Sequence, residues 1–450
     1  MTLLAFNWSA FAANLGQFIL AFSILIVLHE LGHFLTAKWF GCRVEKFYLF
    51  FNPWFSLWKK KIGDTEYGLG WIPLGGYVKI SGMIDESMDK EQMKLPPEPY
   101  EFRAKPAWQR LIIMLAGVII NFILALVLFA MILFVWGEER VPNKNLKYGL
   151  VADSLAVSAG LRTGDLITSV NGKPVEYYNT LSKDIYFSQD PVLGVLRNGK
   201  DTTIKLPDGF LSKLNKNQMR GFVTARYMPK VGNDEKAKYI NGKVQADDQL
   251  IAVNDTAVTY NDEANKILNK LQSGPVNLTF LRNGRDTVNA SFTFDAKEGT
   301  GLPLFKRFYD ILGYEKIEYG FFESIPAGVN MGIERLGEYI EGIRLLFVSK
   351  QHKVNENLGS VISIGKTFGG EWDWQRFWTM TALFSIILAF MNILPIPALD
   401  GGHALFTLVE MITGRKPSDK FMEYAQLVGM VLLLGLMAYA IGLDIFRLFR

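Results

Sequence analysis

The sequence predicts a polytopic α-helical membrane protein with four spans, a membrane-associated β-hairpin, and a repeated, mostly β module carried outside the bilayer. Three observations carry that fold class. Mean hydropathy is +0.14 over 450 residues, 49% of them hydrophobic against 20% charged, so apolar residues are massed in blocks rather than spread through soluble cores. Four blocks run to about 20 residues each, the length that crosses a bilayer as a helix. Between the second and third blocks, a more polar stretch repeats with a period of about 85 residues.

The blocks lie at residues 15–35, 111–136, 377–394 and 427–446. Trp39, Trp108, Trp136 and Trp378 stand near their ends, where an indole is stable at the membrane–water interface. A buried helix of a large soluble protein accounts for one such block but not for four. No Lys or Arg precedes the first block, so it lacks the charged segment of a cleaved signal peptide and reads as a retained span. Lys38, Arg43, Lys46, Lys59, Lys60 and Lys61 follow it, and the positive-inside tendency puts that loop in the cytoplasm. The 137–375 segment is then expected outside the cytoplasm. Divided accordingly, the chain has a first span over 1–36, a cytoplasmic loop over 37–107, a second span over 108–136, outer modules over 137–220 and 221–305, an amphipathic segment and linker over 306–375, a third span over 376–403, and a loop with the fourth span over 404–450.

Within the cytoplasmic loop, 65–81 reads as two strand-like arms about a Pro-Leu-Gly-Gly turn, too apolar for an ordinary loop. An exposed edge there would accept an unwound peptide as an added strand, with Gly76, Tyr77 and Val78 as contact residues. The plainer alternative is a hairpin that only plugs the site. Further on, Ile333, Leu336, Ile340, Ile343 and Phe347 recur at helical spacing among charged residues, as in an amphipathic helix on the outer membrane surface or against the third span.

In the outer segment, Gly164-Asp165-Leu166-Ile167-Thr168-Ser169-Val170-Asn171-Gly172 is echoed by Asp247-Asp248-Gln249-Leu250-Ile251-Ala252-Val253-Asn254-Asp255. Likewise Leu196-Arg197-Asn198-Gly199 is echoed by Leu281-Arg282-Asn283-Gly284. Each copy has a strand ending in an Asn turn and a later Asn-Gly hairpin turn. The module resembles a PDZ domain, closely in the first copy and more loosely in the second, where Asp247 replaces Gly. That resemblance implies peptide capture on a strand edge; a β spacer that binds nothing is the alternative.

The chain has a single cysteine, Cys42, which excludes an intramolecular disulfide and a thiolate zinc cluster, and only four histidines, His29, His33, His352 and His403. Two of them fall in Leu28-His29-Glu30-Leu31-Gly32-His33, inside the first span. Spacing of i and i+4 sets both imidazoles on one helix face, where they can hold one Zn²⁺, with Glu30 as general base toward water activated there. A pair of satisfied helix histidines is the plain alternative, but ionisable groups within a membrane helix are expensive to bury and mark function. Zinc needs a third protein ligand and one open position. Asp400 is the candidate, because Pro395 and Pro397 break the third span just before it and Gly401 and Gly402 allow close approach. His403 is an alternative ligand, a donor to a ligand, or a capping residue.

A His-Glu-x-x-His span followed by Asn392-Ile393-Leu394-Pro395-Ile396-Pro397-Ala398-Leu399-Asp400-Gly401 resembles the site-2 protease family of intramembrane zinc metalloendopeptidases. The likeness extends through Pro73-Leu74-Gly75-Gly76-Tyr77-Val78-Lys79 and Ala116-Gly117-Val118-Ile119-Ile120-Asn121. It implies that His29, His33 and Asp400 bind one Zn²⁺, that Glu30 is the catalytic base, that Asn392 contacts the substrate backbone, and that the hairpin lies partly in the membrane. It also implies a bacterial inner-membrane protein of regulated proteolysis and stress response. Its substrates would be an anti-sigma factor, cut after a first protease has trimmed its outer domain, and leftover signal peptides. Two departures stand out: Val118 where the family usually has Pro, and Phe50-Phe51-Asn52-Pro53-Trp54 where it often has Gly-Phe-Gly. Both bear on the entrance rather than on the ligands.

A zinc-binding PDZ scaffold without proteolysis is the competing class, and Glu30 counts against it, since a purely structural metal site needs no such carboxylate. No inverted repeat of the spans points to a transporter. A balance of 48 basic and 44 acidic residues gives no reason to expect a nucleic-acid partner; the expected partners are helical membrane substrates and the lipid bilayer.

Overall fold

The first apolar block contains no proline and folds as one helix, α1 (Trp8–Trp39). Gly41, at φ +66°, ends it: the Gly41 N–H reaches the Lys38 carbonyl at 3.0 Å and the Cys42 N–H reaches that of Ala37 at 2.8 Å. The structure, a computed structural model, describes residues 8–83, 95–216, 222–232, 244–271, 274–294, 305–349 and 365–448. They fall into a unit of Met1–Gly137, Glu318–Ile340 and Leu358–Arg450, and a unit of Glu138–Ile317 and Glu341–Asn357.

In the first unit, α2 (Ala107–Trp136) starts after Pro106 and stops at Gly137, α3 (Phe321–Val348) contributes residues 321–340, and α4 (Trp374–Ile393) is capped by the Asp373 carboxylate, which accepts from the Arg376 N–H at 3.0 Å. Then come α5 (Asp400–Thr413) and α6 (Asp419–Leu448). Trp8–Trp39, Ala107–Trp136, Trp374–Ile393 and Lys420–Phe446 are long and apolar enough to cross a membrane, which makes this a multi-pass membrane protein with the expected four spans. The first three pack around Phe18, Leu25, Phe377 and Phe384 on one side and Ala125, Phe129, Ala382 and Ile386 on another. The amphipathic helix α3 lies against both the second and third spans: Phe321 meets Phe134, and Tyr339 meets Phe390 edge-on at 5.6 Å.

Between α1 and α2 the chain forms a four-stranded sheet: β1 (Val44–Phe51), β2 (Trp58–Ile62), β3 (Thr65–Leu69) and β4 (Ile72–Ile80), in the order β2-β3-β1-β4. β2 and β3 form an antiparallel hairpin. The two arms expected over 65–81 are both strands, β3 and β4, but β1 runs between them, parallel to β3 and antiparallel to β4. The physical reason is that β1 bonds to both arms at once: Tyr48 on β1 is buried, donates to Glu66 Oε1 of β3 at 2.7 Å, and stacks on Tyr77 of β4 at 5.3 Å. This inserted strand leaves β4 as an edge.

The second unit holds the two repeats, each with a buried core of its own, around Ile167, Leu193 and Val195 and around Leu250, Leu278 and Phe280. Their sheets have the same order, short strand, first, second, third: Lys173–Pro174, Leu166–Val170, Val192–Arg197, Lys200–Lys205 in one and Thr256–Ala257, Gln249–Val253, Gly274–Arg282, Asp286–Phe294 in the other. These regions are consistent with PDZ-like domains. The echoed residues are structural partners. Asp165 receives Arg197 Nε and Nη2 at 2.9 and 2.7 Å, and Asp248 receives Arg282 Nε and Nη2 at 3.0 and 2.8 Å. Asn171 and Asn254, both at φ +50°, accept the N–H of Val192 and of Asn277. The first module's fold also draws on Val223–Ala225, which pairs with Leu150–Ala152.

Burial alone would raise the carboxyls of Asp165 and Asp248, but the paired arginine bonds outweigh it and hold both below the usual carboxylate range. A depressed carboxyl contributes stability above its unfolded value, about 4, that is lost as pH falls through the folded one. Arg197→Ala is therefore expected to destabilise the first module by ~1.5–3 kcal/mol at neutral pH. In denaturant unfolding, its deficit relative to wild type should shrink below pH ~4; a deficit independent of pH would contradict the pairing.

Candidate metal centre

Two segments that are distant in sequence build the site. Helical spacing sets His29 and His33 on one face of α1, and a proline-interrupted loop delivers Asp400 to the first turn of α5. Ala398 in that loop has φ +80°, a left-handed conformation for a residue with a side chain, and strain of this kind collects where backbone is bent to serve a site. The three ligand atoms converge: His29 Nε2 to Asp400 Oδ2 is 3.1 Å, His33 Nε2 to Asp400 Oδ2 is 3.4 Å, and His33 Nε2 to His29 Nε2 is 3.2 Å. Among the described residues, this is the one cluster of three or more potential ligands close enough to share an ion.

The protonation pattern decides what such a triangle is for. His33 Nδ1 lies 2.8 Å from the Ile113 carbonyl, which can only accept, so Nδ1 carries a proton, and in the neutral imidazole Nε2 then turns a lone pair toward the centre. Asp400 Oδ2 is buried and accepts no hydrogen bond among the described residues. Electron-rich atoms left facing one another away from water need a cation between them. A tetrahedral zinc held by nitrogen and oxygen at about 2.0–2.2 Å sets its ligand atoms about 3.3–3.6 Å apart, and the observed triangle is close to that. Two imidazoles, one carboxylate and a side open to a cavity fit a catalytic zinc rather than a closed structural one.

That cavity, about 390 Å³, is lined by Glu30, His403 and Gln426 besides the three ligands, and on the side of the sheet by Gly76, Tyr77 and Val78 of the edge strand β4. β4 presses close to α1 here: a methyl on Gly76 would lie 2.7 Å from Ile26 Cγ2 and 2.8 Å from the Tyr48 carbonyl oxygen. The structure thus brings together His29, Glu30, His33, Asp400, His403, Gly76, Tyr77 and Val78. Asn392 stands in the last turn of α4, half-buried and outside the cavity lining. His352 lies outside the described residues.

Residues 17–436 match the description Peptidase family M50. The chain belongs to peptidase family M50. As an M50 member it is a zinc metalloprotease, the activity for which its relatives are named. A protein of Vibrio cholerae named as a zinc metalloprotease is 28% identical over 469 residues, covering 97% of this chain and 99% of the relative. A Rickettsia conorii protein named in the same way is 29% identical over 441 residues, covering 96% and 98%. The Regulator of sigma E protease of Haemophilus influenzae is 25% identical over 474 residues, covering 99% and 100%.

For this M50 protease, the sequence singled out the three candidate ligands that the structure brings together, but not what surrounds them. The Ile113 carbonyl carries no signal, since any residue supplies one. Gly117 was visible only within the family likeness; its role is close approach, because a methyl there would run into His33 Nε2 and come within 2.7–2.8 Å of the His29 ring. Asn121, one turn further along α2, is buried with its side-chain amide 3.4 Å from His29 Nδ1. A lone amide in an apolar run was the available cue. Gly117→Ala should displace both imidazoles and weaken zinc binding at least about tenfold, read by metal content and chelator competition; affinity equal to wild type would contradict the arrangement.

Proposed function

We propose that this chain is an intramembrane protease that cuts peptide bonds within the transmembrane segments of single-span membrane proteins. The observation that carries the reading is one cavity lined by three candidate metal ligands, a carboxylate placed for acid–base work and the edge strand β4. His29, His33 and Asp400 would hold one Zn²⁺ per chain, supplying Lewis acidity for the scissile carbonyl and acidifying water. Glu30 takes the proton from the attacking water and returns it to the leaving amine.

A substrate helix hides its peptide bonds in its own hydrogen bonds. Unwinding it in a membrane leaves polar backbone groups that must be satisfied, and the edge of β4 at Gly76, Tyr77 and Val78 offers a strand to pair with. Asn392 stands apart from that lining, so its contact with substrate backbone depends on a peptide seated along the loop between α4 and α5. His403 supports a ligand or the proton movement from within the cavity.

Likeness to a Regulator of sigma E protease supports an anti-sigma factor, trimmed by a first protease, as one substrate, with leftover signal peptides as another. With it goes placement in a bacterial inner membrane, the PDZ-like modules on the periplasmic side and the active site toward the cytoplasm, in agreement with Lys38, Arg43 and Lys59 to Lys61 after α1. The modules then act as a filter against untrimmed substrates or as receptors for their new carboxyl termini.

Glu30→Gln is expected to keep wild-type zinc content and to lose at least about 10²-fold in cleavage of a single-span substrate by purified protein. Normal proteolysis by that variant would sink the mechanism and favour a non-proteolytic scaffold. In the same assay, removing both modules should allow an untrimmed substrate to be cut, and unchanged selectivity would refute the filter.

A further inference from the structure

The zinc reading requires that His29, like His33, offer a lone pair on Nε2, and an acceptor beside Nδ1 would fix the proton on that other nitrogen. Asn121 is almost fully buried in α2, and its side chain faces His29 Nδ1. With the amide nitrogen turned toward His29, at 3.4 Å from Nδ1, Asn121 Oδ1 is a buried oxygen with no donor among the described residues. That orientation also makes Nδ1 the acceptor, which puts the ring proton on Nε2, pointing into the triangle where the ion belongs. Turning the amide over exchanges the two atoms with little change of shape. Oδ1 then accepts from His29 Nδ1–H, the orphaned oxygen is satisfied, and Nε2 is left as a lone pair.

We infer that Asn121 is the positioning residue of the metal centre: its side-chain oxygen holds His29 in the Nδ1-protonated tautomer, as the Ile113 carbonyl does for His33. Metal-bound histidines are held in this way by an acceptor on the far nitrogen, and loss of that acceptor costs about 10–100-fold in metal affinity. Asn121 is itself steadied from the third span, because Ser385 Oγ donates to its backbone carbonyl at 2.7 Å. That bond uses only the main chain and survives substitution of the side chain.

The inference rests on the zinc reading but not on proteolysis, so its test reads metal. Zinc affinity of the full chain in detergent is measured by chelator competition for wild type, Asn121→Leu and Asn121→Asp, with the visible spectrum of the cobalt-substituted proteins as a second readout. The leucine variant keeps the branched heavy-atom skeleton and removes both polar atoms; the aspartate variant keeps an acceptor and removes the donor. Expected are a 10–100-fold weaker affinity and an altered cobalt band for N121L, and affinity within a few-fold of wild type, or tighter, for N121D. Wild-type affinity in N121L overturns the assignment. Equal loss in both variants overturns it too, since it would mean that donation or packing is what matters; if N121D fails to fold, the affinity and cobalt band of N121L decide. Failure of wild type to bind zinc would instead remove the zinc reading on which this rests.

Discussion

Three electron-rich atoms forced together inside an apolar bundle are the constraint on which the rest of the membrane unit depends. His29 Nε2, His33 Nε2 and Asp400 Oδ2 stand 3.1–3.4 Å apart, mostly shielded from bulk water, and a cation bound among them makes that arrangement favourable. Much of the surrounding architecture brings them there. Gly32 and Gly117 let α1 and α2 approach until a backbone carbonyl meets an imidazole: a methyl on Gly32 would lie 2.7 Å from the Ala116 oxygen. The prolines that end α4, and the strained Ala398, turn the chain so that α5 begins with Asp400 facing α1. Arg110 of α2 ties α5 from its far end through Glu410 at 2.5 Å.

The same economy shapes the cavity's other wall. A simple hairpin over 65–81 would pair its arms to each other. Inserting β1 between them pairs β3 and β4 along their inner sides and makes β4, among the described residues, an edge strand beside the candidate metal centre. An open edge is normally a hazard for aggregation. Set beside Glu30 and the candidate ligands, it is where the proposed mechanism seats an extended peptide.

Periodicity and motif made a good part of this legible. Helical spacing of His29 and His33, the prolines before Asp400, and four apolar blocks each express a local rule, and the structure follows them. The repeat was legible as well, although not that its echoed residues pair: Asp165 with Arg197 and Asp248 with Arg282 are contacts that only the fold shows. Strand order was not legible, since β1's place between β3 and β4 is settled by pairing between residues 20 to 36 positions apart rather than by any local pattern. Nor were the groups that orient the ligands. A backbone carbonyl such as that of Ile113 has no identity in a sequence, and Asn121 acquires meaning only once α2 lies against His29.

The central claim is that these three residues form an open zinc site, and X-ray absorption at the zinc edge of the purified chain tests it most directly. The account predicts one zinc per chain with a first shell of nitrogen and oxygen only, at about 2.0–2.2 Å, two imidazoles contributing to the outer-shell scattering, and loss of that signal in Asp400→Ala. A sulfur ligand, three or four imidazoles, or the same spectrum after Asp400→Ala would contradict it.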